Sequence, residues 1–266
     1  MLNRFFDKKP GTISGIYNYC DRWCERCAFT ARCSNYRFMK KLEGLINEEL
    51  GDDEQGHIPP IQASIQIVEM RSGTPMDSIM EDTDPVEETI ENAKQEEANR
   101  KMQEHPLYRL TDNYSNEVFD IIKARNKEDF LEGITIDPEL ATQLGAPSEP
   151  DIYKIISEKH PAILHLSILV FVKTARALGN WFDLLEEGDP HGFTKQDMNG
   201  TAKLVLVIID ELLEEWMKLR TTQPAFEEKA NQLFDDLLKI RDLTEEQFPK
   251  ARGFKRPGLD NENKNA

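Results

Sequence analysis

All four cysteines of the 266-residue chain stand within fourteen residues, Tyr19-Cys20-Asp-Arg-Trp-Cys24-Glu-Arg-Cys27-Ala-Phe-Thr-Ala-Arg-Cys33, in the spacing C-x3-C-x2-C-x5-C. The thiolate is the metal-binding form of cysteine, and four of them can close on one zinc ion or anchor an iron-sulfur cluster. Structural zinc sites more often use two C-x2-C knuckles separated by a dozen or more residues, whereas only one such knuckle occurs here. Compact serial cysteines fit a [4Fe-4S] cluster better, because a larger centre is reachable by ligands strung along a short helix and turn. The expected ligands are therefore Cys20, Cys24, Cys27 and Cys33, with a [4Fe-4S] cluster as cofactor and zinc as the alternative. A third reading needs no metal: Cys20, Cys24 and Cys27 lie at i, i+4, i+7 and extend a helical stripe through Ile13, Tyr17 and Ala31, where buried cysteines pack as small hydrophobes. Cys33 breaks that stripe. Around the thiols, Tyr19, Trp23 and Phe29 are candidates to exclude water, and Arg22, Arg26 and Arg32 to balance negative charge.

Two families share parts of this spacing. Cys24-x2-Cys27-x5-Cys33 is similar to the last three ligands of the cluster loop in helix-hairpin-helix DNA glycosylases, over about ten residues. The first gap is shorter here, the run lies near the N-terminus, and no Gly-rich hairpin accompanies it, so glycosylase activity does not carry over. Cys20-x3-Cys24-x2-Cys27 looks like the cluster motif of radical S-adenosylmethionine enzymes. Their barrel requires alternating strands and helices, which an α-rich chain lacks, and the match is set aside.

Other chemistry finds little footing. Glu54-Gln-Gly-His57 is the one Glu-x-x-His pair and sits in a Gly/Pro loop, which excludes a ferritin-like di-iron bundle. Glu187-Gly-Asp189-Pro-His191-Gly192 mimics the start of a calcium loop, but the twelfth position is Met198, so it reads as a capped interhelical turn. Asp210, Glu211, Glu214 and Glu215 read as the solvated face of the helix carrying Leu212, Leu213 and Trp216. His160 and His165 read as core or cap histidines. No catalytic residue is assigned.

The elements that must position the cysteines follow from composition and period. Lys and Arg number 33 against 49 Asp and Glu, a net charge of −16, which opposes nucleic acid and anionic membranes as partners. The first 41 residues nevertheless carry nine Lys/Arg and three Asp/Glu, while residues 51–150 carry eight against 23. Residues 1–50 thus form a basic four-cysteine module with a helix from Ser34 to Leu50. Residues 51–150 form an acidic linker with polar helices, one opened by Asp84-Pro85-Val86-Glu87 and reaching Glu104, a second from Ser115 to Asn126 with Val118, Phe119, Ile121 and Ile122 inward. Ile61–Met70 reads as extended linker. Residues 151–250 form a helical core domain: apolar positions keep helical spacing from Ile152 to Val170 across a break at His160-Pro161. Thr194-Lys-Gln-Asp197 resembles a capping box, Leu204–Ile209 is apolar on nearly all sides, Pro224 starts another helix, and Thr244 with Gln247 caps a short one. Residues 251–266 are expected to be a disordered tail.

The fold class expected is all-α, a helical bundle with a small N-terminal four-cysteine metal-binding module. The first ten residues show no secretory pattern and the longest apolar run is too short to span a bilayer, so a cytoplasmic location is expected. Reduced cytosolic thiols favour metal over disulfides. The function expected is a structural or electron-transfer role with a protein partner; the alternative is a zinc-stapled interaction module without redox activity.

Overall fold

The computed structural model describes residues 10–50, 85–132, 152–186 and 188–260. Among them the regular elements are all helical and no strand occurs, so the chain is all-α. The helices are α1 (Ser34–Leu50), α2 (Pro85–Glu104), α3 (Pro106–Glu132), α4 (Ile152–Lys159), α5 (Pro161–Glu186), α6 (Phe193–Thr222) and α7 (Glu227–Gln247). Two compact units result: Met1–Glu96 with Pro257–Leu259, and Glu97–Arg256 with Asp260–Ala266.

The larger unit is a four-helix bundle in which α3 packs on α5, α5 on α6, α6 on α7, and α7 back on α3. Neighbours run antiparallel. Tyr108 meets Phe171 and Tyr114 meets Ser167 between α3 and α5, while Arg176 meets Asp197 between α5 and α6 and His160, just ahead of α5, meets Glu215 of α6. The expectation of a central Leu204–Ile209 run is met: Leu204, Val205, Leu206, Ile208 and Ile209 are buried. Ile156, Ile163, Leu166 and Val170 face the same core. A helix apolar all round is the one that must be enclosed. Across the diagonal, Trp216 Nε1 donates to Tyr114 Oη at 2.9 Å, and Tyr114 shares a 3.0 Å hydroxyl bond with Ser167, so the buried polar atoms of this cluster are satisfied. By length and composition α5 could cross a membrane, yet half of its apolar window is covered within the bundle.

The break at His160-Pro161 separates α4 from α5, because Pro161 has no N–H to continue the ladder and its fixed φ suits a first helical position. Several local expectations are corrected. The second polar helix begins at Pro106, not Ser115. His105 Nδ1 accepts the Leu107 N–H at 3.2 Å as its cap, and Leu107, Thr111, Tyr114 and Val118 bury one face. Phe119 is 41% exposed and does not point inward, and Ile122 lies outside the described side chains. Thr194–Asp197 is no capping box: Asp189 Oδ2 accepts the Lys195 N–H at 2.9 Å, while Asp197 takes Arg176 in two bonds and Asn180 in a third. Asp189 is thus the cap of the interhelical turn. Thr244 lies inside α7, its hydroxyl bonded to Ile240 O, so among the described residues no separate helix follows. The expected disordered tail is ordered over 251–260: Ala251 is buried, Arg252 bridges Asp210 and Glu245, and Arg256 clasps Asp260. Charge pairing there supplies what apolar content does not. Ile61–Met70, Glu54–His57 and residues 261–266 lie outside the described residues.

Candidate metal centre

The segment holding the cysteines is not the amphipathic helix that its i, i+4, i+7 spacing allows. It is a series of 3-10 turns, Ile16–Asn18, Cys24–Arg26 and Thr30–Arg32, after which α1 begins at Ser34. The helix is broken where Arg22 adopts φ 60°, a left-handed conformation that costs a non-glycine residue energy. Asp21 helps to hold it, its Oδ1 accepting the Trp23 N–H at 3.0 Å and its Oδ2 the Arg26 guanidinium at 2.9 Å. The helical stripe through Ile13, Tyr17 and Ala31 that the spacing allows is therefore not formed.

Each turn delivers a cysteine. Cys20 follows the first, Cys24 opens the second, and Cys27 and Cys33 end the second and third with extended backbone. Backbone amides then point at two of the four sulfurs. The Phe29 N–H reaches Cys27 Sγ at 3.4 Å, and the Tyr36 N–H reaches Cys33 Sγ at 3.5 Å. Donors aimed at sulfur stabilise the charged thiolate, and in cluster proteins they tune the centre.

The thiols share one electrostatic neighbourhood. Burial pushes the Cys24 thiol above its ordinary value, and Cys20, Cys27 and Cys33 each push it further. Burial likewise raises Cys20, against the Arg22 amide and the Arg22 charge, with Asp21 and Cys33 adding to the rise. A bound cation would invert that logic at Cys20 and Cys24, since a coordinating thiol is deprotonated outright. As the side chains stand, among the described residues no three His, Cys, Asp or Glu groups are drawn together closely enough to hold an ion. Binding of an ion by Cys20, Cys24, Cys27 and Cys33 would require their side chains to close together.

Tyr19 is buried, and Trp23 and Phe29 are half-buried beside the turns. The arginines serve the loop itself: Arg26 stacks 3.9 Å above the Trp23 ring, Arg32 Nε donates to Gly11 O, and Arg37 donates to Ala31 O and Thr12 Oγ1. Sequence reasoning missed the loop-holding roles of Asp21 and Arg37. That of Asp21 carried a readable signal, an aspartate two residues before the amide it caps; that of Arg37 carried none, because its partners are backbone and a hydroxyl far along the chain.

Elsewhere, Glu215 departs from the solvated face expected of it. Its side chain is 17% exposed and accepts hydrogen bonds from His160 Nδ1 at 2.9 Å and Lys218 Nζ at 2.7 Å. No protein-family model, curated protein or solved structure matches this chain.

Proposed function

We propose that the turns carrying Cys20, Cys24, Cys27 and Cys33 form a four-thiolate metal centre holding a [4Fe-4S] cluster, in a structural or electron-transfer role with a protein partner in the cytoplasm. The observation that carries this reading is the pair of backbone amides directed at the sulfurs of Cys27 and Cys33 within a loop that forgoes helix. Thiols used only for packing need no such donors. A bound cluster supplies reversible one-electron chemistry. The chain's own residues hold the sulfurs, with Tyr19, Trp23 and Phe29 limiting water and the neighbouring arginines offsetting thiolate charge. The reducing compartment keeps the thiols available.

A zinc-stapled interaction module is the second reading. It is favoured by the Cys24-x2-Cys27 turn, in which the Cys27 N–H bonds Cys24 O at 3.2 Å, the compact knuckle that zinc sites use. Metal analysis with absorption spectroscopy on anaerobically purified protein separates the two. A brown protein with iron and sulfide that bleaches in air supports the cluster, whereas a colourless protein with one zinc supports the staple. Cys24→Ser and Cys27→Ser are each expected to lose most bound metal, because four ligands leave none spare. Full stoichiometry in either variant overturns both readings.

A further inference from the structure

The first and last cysteines depend on one short segment, residues 12–19. The Ile13 N–H donates to Arg32 O at 3.0 Å, fixing the residue before Cys33, and Cys20 Sγ lies 3.8 Å from Tyr17 O as donor. Arg37 ties Thr12 Oγ1 to the same strand of chain, its own N–H bonded to Cys33 O. Ile16 is buried and starts the turn that leads to Cys20.

What lies against Ile13 and Ile16 comes from the other end of the chain. Pro257–Leu259 belongs to the cysteine-bearing unit. Gly258 has φ +74°, and a Cβ placed on it would stand 2.9 Å from both Ile13 Cδ1 and Ile13 Cγ2 and 3.5 Å from Ile16 Cδ1. Glycine is required there twice over, for its backbone conformation and for the absence of a side chain. The loop is closed at its base: the Arg256 N–H and guanidinium donate to the Asp260 carboxylate, and the Asp260 N–H returns to Arg256 O. Burial works to raise the Asp260 carboxyl, and the Arg256 hydrogen bonds outweigh it and hold the group ionised.

We propose that Gly258 is a positioning residue of the four-cysteine centre, its loop tip seating under Ile13 and Ile16 and so holding Cys20 and Cys33 for metal. This rests on the metal-binding reading. A side chain at position 258 acts on the seat and touches no ligand, so its effect on metal passes through the 12–19 segment.

The test uses full-length, metal-loaded protein and follows two quantities: the rate of metal loss to excess chelator, and amide hydrogen exchange. In Gly258→Ala, metal loss accelerates roughly 5- to 30-fold, the factor that a left-handed backbone penalty carries. The amides of Ile13, Tyr19 and Cys33 exchange faster, while those of α5 and α6 do not change. Gly253→Ala is the control, since its Cβ would meet only Lys250 O at an ordinary 3.7 Å, and it leaves both quantities at wild-type values. Ile13→Ala empties the seat from the opposite side without backbone strain; it gives the same direction and decides the matter if Gly258→Ala does not accumulate. Wild-type rates of metal loss in both variants overturn the proposal. Wild-type protein without metal overturns the binding reading and the positioning role together, and faster exchange at Ile13 and Tyr19 would then show that the seat exists without a centre to serve.

Discussion

A carboxylate that sequence pattern assigns to solvent, Glu215, is instead clamped between His160 and Lys218. Burial works to raise its pKa, and the hydrogen bonds from Lys218 and then His160 outweigh it, leaving the group below the ordinary glutamate value of 4.5. A depressed carboxylate contributes stability that is complete above the unfolded-state value and is lost as pH falls through the folded one. The bundle should therefore weaken as pH drops below about 5, and Glu215→Gln should flatten that acid limb while costing stability at neutral pH. Urea unfolding midpoints between pH 7 and pH 3 check this, and an acid limb of unchanged slope in the variant refutes it. The residue was misread because helical period places Glu211, Glu214 and Glu215 on neighbouring faces, and only the fold decides which of them meets the His160 corner.

At the scale of elements, legibility tracked how completely apolar residues mark a face. Leu204–Ile209 leaves α6 no choice but enclosure, and its central place was plain from the sequence. The first turns of α3 were not, because Thr111 and Tyr114 hold core positions while looking polar: the Thr111 hydroxyl bonds Leu107 O and Tyr108 O, and the Tyr114 hydroxyl joins Trp216 and Ser167. The cysteine segment misled in the opposite sense. Its i, i+4, i+7 spacing satisfies a helix, and the left-handed Arg22 that ends that option has no signature in the residue type. These assignments predict unequal costs. Ile209→Ala in α6 should destabilise the bundle by about 2–5 kcal/mol, as large-to-small changes in enclosed cores do. Phe119→Ala in α3, at a site 41% exposed, should change stability by less than about 1 kcal/mol. Chemical denaturation of both variants measures the contrast, and equal losses would restore the inward reading of Phe119.

For the whole molecule, the bundle closes its own ring of helix contacts without the cysteine-bearing unit. A fragment spanning 97–256 is expected to unfold in one cooperative transition by circular dichroism, with no metal required; a gradual, non-cooperative loss of helix would refute independent folding. The cysteine-bearing unit has no such independence, because Gly258 completes it under Ile13 and Ile16. That single feature orders events at the ribosome. Translation at about 5–20 residues per second puts on the order of 10–50 s between the emergence of Ile13 and that of its C-terminal partner. All four thiols have left the ribosome early in that interval, while the helices of the bundle are being made. Completion of the cysteine-bearing unit therefore waits for residue 258 to emerge, and a nascent chain stalled before Pro257 displays all four cysteines but not the finished seat under Ile13 and Ile16.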